Sequence, residues 1–576
     1  MIDTAARPPR PPRQSPGAER SGDDADHGLI RSTRVMAAGT LASRFTGLLS
    51  KLLLAWAIGV AVGDAYNVAN TIPNIVYELL LGGILTSVVV PLIVAAAARG
   101  ADDGEAYAQR LLTLVALTLG IASVLAVVAA PWIVRLYIGH FSKGAPDEHL
   151  ISVATTFARF FLPQILFYGI GATMGAILNT RGRFAAPMWA PVLNNLILIA
   201  TFLVFFAVPG PGDDLVPATI TTAQVLTLGI GTTLGIVAQT VALVPALRAA
   251  GFRWRPRFDF RRTGLGEAGR LAGWVLLYVL VNQIGYLVIT NLATSAFASG
   301  DGSGAGGYSI YVWAFMVFQL PHAVVAVSVI TALLPRMSRH AVDARLDLVT
   351  TELSRGLRLA AVVLVPATFA YLALNQPIMR LLFGHFRITA DDTTIMGWTL
   401  AAFALGMLPF SGFQLQLRAF YALRDTRTPA LVNIAVNAVN LVVAGALFVA
   451  LPARWIVPGL AVGYAVSYAA GLALFSRLLH RRLGSVDGHR VVRTLVRLTI
   501  AGLGGGALAY LVASALMSAL GTGSAGSAAA LCAAVPLGGA FYLWVAGRLR
   551  VSEIRALMDM VRSRVTGSSR RARRPT

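Results

Sequence analysis

Fourteen apolar runs, each long enough to cross a bilayer, constrain this chain more than any other feature. They fall at 35–61, 66–98, 109–136, 151–179, 187–208, 221–247, 270–298, 308–335, 357–375, 394–422, 428–451, 456–477, 491–518 and 525–547. A helix rises about 1.5 Å per residue, so about 20 apolar residues span the roughly 30 Å hydrocarbon core. Hydrophobic residues make up 56% of the 576 and charged residues only 13%, far from a soluble globular profile. The fold class expected is an all-α integral membrane protein.

The net charge of +22 is distributed as a topology signal. Arginines crowd alternate connections: Arg181 and Arg183, Arg248 to Arg270, Arg336 to Arg358, Arg424 and Arg427, Arg477 to Arg497, and Arg548 to Arg574. The intervening connections are poor in them, with Asp213 and Asp214 in one and Asp301 in another. By the positive-inside rule both termini lie in the cytoplasm. The charge therefore speaks for membrane topology and anionic lipid, and nucleic acid is not expected as a partner. Residues 1–33 read as a disordered cytoplasmic tail and 549–576 as a basic cytoplasmic tail. One cysteine, Cys532, and eight histidines without ligand spacing give no metal site. No Walker loop, HExxH, nucleophile elbow or kinase signature occurs. The chain does not read as an enzyme, and no cofactor is expected.

Charge inside the spans points to function. Arg44 and Lys51 lie seven residues apart in the first span, on one helical face and roughly 10 Å from each other. A cation in hydrocarbon costs several kcal/mol, so it faces a wet cavity or an anion, or it snorkels. In the second span Asp64, Asn67, Thr71, Asn74 and Glu78 follow a 3, 4, 3, 4 spacing with Asn70 and Tyr77 beside them. That stripe reads as a water-lined wall, with Pro73 permitting a kink within it. Unpaired charges at that depth are costly, so Arg44 or Lys51 is expected near Asp64 or Glu78 when no substrate is bound. The matching stretch of the second half, Leu271 to Pro335, offers amides and aromatics instead, among them Asn282, Gln283 and Gln319. His322 is its one histidine and reads as a hydrogen-bonded structural residue. Substrate charge is thus expected to be recognised mainly by the first half, with no replacement cation in the second.

A weak internal duplication is visible. NTRGRFAAPMWAPVLNNLILIA from Asn179 and ALRDTRTPALVNIAVNAVNLVV from Ala422 each join an arginine turn, a proline (Pro187, Pro429) and asparagines inside the following span. An even number of spans separates the copies, which implies two six-helix lobes in parallel repeat around a central site, with two helices added. The expected division is 34–252 for the first lobe, 253–485 for the second, and 486–548 for the two C-terminal helices.

The chain resembles the MurJ/MviN family of lipid II flippases, in the multidrug/oligosaccharidyl-lipid/polysaccharide exporter superfamily. The resembling stretches are SRFTG (Ser43 to Gly47), DAYNVANTIPN (Asp64 to Asn74), GAILNTRGRFAAPMWAPVLNN (Gly175 to Asn195), LLFGHFRITADD (Leu381 to Asp392) and FYALRDTRTP (Phe420 to Pro429). They include Ser43, Gly47, Pro73, Asn179, Pro187, Asn195, Tyr421, Asp425, Thr428 and Pro429, in family order over roughly Val35 to Arg548.

The resemblance implies a flippase of the bacterial inner membrane, moving lipid II or a related polyprenyl-diphosphate-linked precursor outward in peptidoglycan biosynthesis. It implies alternating access around a cationic cavity, walled by the first, second, seventh and eighth helices. The substrate-binding residues would be Arg44, Lys51, Asp64, Asn67, Asn70, Asn74, Tyr77, Glu78, Asn282, Gln283 and Gln319, with the polyprenyl tail beside the last two helices. Partners would be the lipid-linked anionic substrate, membrane lipids and other cell-envelope synthesis proteins. Several of the family's charged residues are missing: Ser50 stands where an arginine is usual, Tyr77 and Glu78 replace a basic pair, Gly82 an acidic residue, and Ala314 another arginine. An exporter of another amphipathic substrate, or a non-transporting scaffold, shares the same sequence features.

Overall fold

The computed structural model describes residues 16–79, 101–138, 147–212, 215–259, 265–298, 307–484 and 487–554. These form seventeen α-helices and one π-helical turn, with no strand among the described residues. In order they are α1 (Pro16–Leu79), α2 (Ala101–Tyr137), α3 (Glu148–Phe161), α4 (Gln164–Thr180), α5 (Ala185–Ala207), α6 (Thr222–Val241) and α7 (Leu243–Ala249). There follow α8 (Leu265–Ala298), α9 (Gly307–Pro321), the π turn (His322–Ala326), α10 (Val327–Val342), α11 (Leu346–Phe383), α12 (Ala390–Leu405) and α13 (Met407–Ala422). The chain closes with α14 (Arg427–Ala450), α15 (Ala453–Leu483), α16 (Gly488–Leu520) and α17 (Ser524–Arg548).

Among the described residues twelve helices are long and apolar enough to span a membrane, and thirteen if the pair α12 and α13, bent by 45°, counts as one span. The difference from fourteen lies in α1, whose apolar stretch Ala38–Tyr77 counts as a single span. Its helical run is interrupted at Gly59, where φ is 66° and ψ is −174°, a conformation open to glycine and costly for other residues. Two limbs meet there. Gly47 and Asn74 would stand about 40 Å apart on a straight helix, yet both line one small cavity, so the second limb folds back along the first. The second limb is described only as far as Leu79; the rest of the expected span, to 98, lies outside the described residues.

Helices α1 to α7 pack mainly on one another, and α8 to α15 do likewise. The same device joins each group. Asn195 of α5 donates to the Ser43 carbonyl of α1 at 3.0 Å, 152 residues away, while Asn433 of α14 donates to the Tyr278 carbonyl of α8 at 3.0 Å, 155 residues away. Asn437 donates to Asn282 Oδ1 at the same spacing of 155. The two spacings, 152 and 155, differ by less than one helical turn, as a parallel repeat leads one to expect. The linker after α7 stays with the first group: Trp254 donates to Thr113, and Arg110 meets Asp259 at 2.7 Å on α2. Residues just beyond 252 thus still touch α2.

The C-terminal pair docks on α11. Gly505 and Gly538 face each other so closely that a Cβ on either would lie 2.7 Å from the other's carbonyl oxygen, the small-residue crossing that packs helices in lipid. Tyr542 donates to the Val362 carbonyl and Arg358 pairs with Glu553 at 3.2 Å.

Candidate functional site

Hydrogen bonds between the first seven helices and the later ones gather at the end of the bundle that carries Gly59. Asp64, 1% exposed, accepts the backbone amides of Tyr308 at 3.2 Å and Ser309 at 2.6 Å. These belong to the first turn of α9, whose free amides and dipole favour an anion. Below it, Asn67 donates to Ser309 Oγ at 3.0 Å and Thr71 meets the Tyr308 hydroxyl at 3.0 Å. Tyr308 is bonded in turn to Tyr286 of α8.

A second clasp lies beside it. Arg387, in the loop after α11, donates to the Ala57 carbonyl and to the Gly212 carbonyl at 2.7 Å. Trp56 donates to the Leu382 carbonyl at 2.9 Å and packs edge-on against His385. Asn291 of α8 reaches the Leu136 carbonyl of α2 at 3.1 Å. The two halves are sealed to each other at this end.

The polar stripe is therefore not one water-lined wall. Asp64, Asn67 and Thr71 are buried in the seam, because their partners sit on α9. Asn70 and Asn74 turn instead into a cavity of about 200 Å³ within the first half, shared with Tyr66, Gln164, Tyr168, Asn194, Asn195, Thr232 and Lys51. Tyr168 donates to Asn74 at 3.3 Å and packs against Tyr77 with ring centroids 4.6 Å apart and planes tilted by 42°. The side chain of Glu78 lies outside the described residues.

The expected pairing of Arg44 or Lys51 with Asp64 is not found. The Asp64 carboxylate is committed to α9, and among the described residues neither cation forms an ion pair. Arg44 and Lys51 share a helical face but not an environment: Arg44 is exposed, whereas Lys51 lies inside the cavity behind α5. Ser50, at the family's arginine position, is buried and donates to the Gly47 carbonyl.

In the second half Asn282 is engaged by Asn437, while Gln283 and Gln319 are half-buried on α8 and α9. His322 opens the π turn after Pro321, with Nδ1 2.8 Å from Ser411 Oγ and its ring on Phe410. A cation does stand in this half, supplied by α13. Arg418 lies over the Tyr421 ring at 5.7 Å, and its Nε is buried without a partner among the described residues. The signal was present: Arg418 sits four residues before the end of its helix at Ala422, about one turn inside it.

The motif turns at the opposite end are structural. Thr428 donates to Asp425 through its amide at 2.9 Å and its hydroxyl at 2.6 Å, and Arg482 of α15 meets the same carboxylate at 2.5 Å. Burial pushes the Asp425 carboxyl up, but these bonds and the Arg482 charge outweigh it and hold it below the usual carboxylate range. Arg181 donates to the Ala250 carbonyl at 2.7 Å, tying the matching turn to the end of its own half. Asn179 closes α4 with its Oδ1 buried and unpartnered among the described residues. Pro187 and Pro429 lie in the first turns of α5 and α14, where a missing amide costs little.

An apolar groove of about 810 Å³ opens on the other side of α13, between α11, α15 and α16. Leu357, Leu364, Leu415, Leu472 and Leu495 line it, and Arg477, His480 and His489 stand at its rim.

Comparison with known proteins supplies a frame for this geometry. A family model described as "Lipid II flippase MurJ" matches residues 54–527. The chain is 28% identical over 470 residues to the "Probable lipid II flippase MurJ" of Haemophilus influenzae, covering 79% of this chain and 86% of the relative. It is 29% identical over 460 residues to that of Rhizobium meliloti, covering 79% and 81%. A solved structure titled "Lipid II flippase MurJ, inward closed conformation" superposes with a TM-score of 0.70 at 19% identity, over 91% of this chain and 99% of that one. At that identity the likeness speaks for the fold.

Proposed function

We propose that this chain, which belongs to the lipid II flippase MurJ family, carries lipid II or a closely related polyprenyl-diphosphate-linked precursor from the cytoplasmic to the outer leaflet. It is a multi-pass membrane protein. The arginine-rich turns face the cytoplasm and the Gly59 end faces outward. Two lobes, 34–252 and 253–485, rock against each other, and the helices of 486–548 are carried on the second.

The observation that supports this reading most directly is the contact of Asp64 with the first turn of α9. Alternating access needs a seal that is strong when made and leaves each partner soluble when broken. A carboxylate on a helix N-terminus meets both demands, since water replaces either side of the bond. With the outer end sealed, the diphosphate enters from the cytoplasmic side, where Arg44 is exposed and Arg418 stands in the second lobe. Both carry a planar fork suited to phosphate oxygens. The polyprenyl tail stays in lipid and in the groove beside α16, because only the headgroup is costly to move through hydrocarbon.

The test is reconstitution of the full chain in vesicles with lipid II in both leaflets and an enzyme outside that consumes only the exposed pool. Protein-dependent consumption of the inner pool is expected. A protected pool that stays constant in the presence of folded protein refutes the reading.

A further inference from the structure

Only two of the chain's 48 basic residues are lysines, Lys51 and Lys143; the rest are arginines. Wherever this sequence needs a fixed positive charge it uses arginine, which stays protonated at any pH a cell meets, whereas a lysine can give its proton up. Lys51 is the lysine placed within a membrane-spanning helix, and it opens into the first lobe's cavity.

The cavity is built with acceptors. Thr233 donates its hydroxyl proton to the Phe160 carbonyl at 2.6 Å, so it can only accept from the Gln164 amide at 3.0 Å. That fixes which way Gln164 points and leaves its Oε1, fully buried, with no partner among the described residues. Asn194 is in the same position: its nitrogen is turned to Asn195 and its Oδ1 is unpartnered. Two buried carbonyl oxygens without donors share a cavity with the Lys51 ammonium, and none of the three has a hydrogen-bond partner among the described residues. At about 30 Å³ per molecule the space admits several waters to join them.

We propose that this cavity is a proton-binding site, with Lys51 as its titrating group, and that loading and unloading it accompanies the movement of the lobes. Protonation takes one proton from cavity water onto Nζ, where Gln164 and Asn194 oxygens receive the ammonium directly or through water. Release returns that proton to water, and no other bond changes. The other titratable groups lining the cavity are Tyr66, held by Thr232 at 2.8 Å, and Tyr168, held by Asn74. Helices α5 and α6 present no ionisable side chain there, so Lys51 is not answered by a carboxylate among the described residues.

The coupling rests on the flippase reading, but the site can be tested without it. The full chain, labelled with isotopes at lysine only, yields two side-chain signals, and Lys51→Arg identifies that of Lys51. The Lys51 signal is expected to pass between ammonium and amine forms within the pH range over which the protein stays folded. Gln164→Leu, which removes an acceptor, is expected to move that transition toward acid. A Lys51 that stays ammonium throughout, or a transition indifferent to Gln164→Leu, overturns the site. In vesicles, an imposed pH gradient is expected to change the lipid II translocation rate severalfold for the natural protein and not for Lys51→Arg. Equal responses overturn the coupling. A titrating Lys51 in a protein that moves no lipid II upholds the proton site and refutes the flippase reading alone.

Discussion

Asp64 and Ser309, 245 residues apart, are joined by a bond of 2.6 Å from the Ser309 amide to a carboxylate oxygen. One lobe thereby supplies the N-terminal cap of a helix in the other. Asp64→Asn removes the charge and leaves the shape. A charge at a helix N-terminus in a partly buried setting is worth about 1–2 kcal/mol, so amide hydrogen exchange in the first turn of α9 is expected to accelerate about tenfold. Unchanged exchange there would mean that the carboxylate does not hold the seam.

Arg387 reaches two carbonyls on different segments of the first lobe, Ala57 and Gly212. Arg387→Ala is expected to lower stability by about 1–3 kcal/mol, the range for hydrogen bonds to charged groups. Arg387→Lys should recover only part, because one ammonium cannot match the two-sided fork. Thermal unfolding of the purified protein reads this directly; full recovery by lysine contradicts a bridging role.

Asn195→Ala and Asn433→Ala probe the repeat. Interhelical hydrogen bonds in membranes are worth about 0.6–1.7 kcal/mol, and each substitution is expected to cost that much. The two sites belong to different halves, so their effects should add. Strong non-additivity in a denaturation series would show that the halves do not fold as separate units.

Asp425 sets a pH dependence whose sign is fixed. Its folded carboxyl titrates below the unfolded value of about 3.9. Its contribution is therefore fully present above that value and is lost as pH falls through the folded one. Asp425→Asn should flatten the acid limb of stability against pH, and Arg482→Ala should flatten it in part. An acid limb identical in all three proteins leaves Asp425 without this role.

Arg44→Ala is expected to reduce translocation at least tenfold at normal membrane abundance, about 1.4 kcal/mol of lost phosphate binding, with partial rescue by Arg44→Lys. Arg418→Ala should weaken it as well, since the second lobe carries a cation of its own. Full activity in both single variants would point to a neutral headgroup.

The spans, the repeat and the membrane assignment were legible because apolar length and arginine spacing are local properties. The polarity of Asp64 was legible and its partner was not: that partner is a backbone amide, which has no sequence signature and comes near only through the fold. Arg44 and Lys51 share a face, as their spacing requires, but depth along the helix decides which of them α5 covers. Arg418 was passed over because it lies close to a turn rich in arginines, where charge reads as topology. Gln164 and Thr232 became visible only once packing gathered them around Lys51.

The bend at Gly59 carries a mechanical consequence. No loop separates the two limbs of α1, so the chain has no slack at the point where Arg387 grips Ala57 and lies against Gly59. That point is a fulcrum. Lys51 hangs eight residues to one side, about 12 Å along the axis, and Asp64 five residues to the other, about 7.5 Å. Were the two limbs to turn together about it, a tilt that frees Asp64 from α9 would swing Lys51, the farther from the bend, through a longer arc. A small event at the seam is thereby geared up into a larger displacement at the heart of the first lobe.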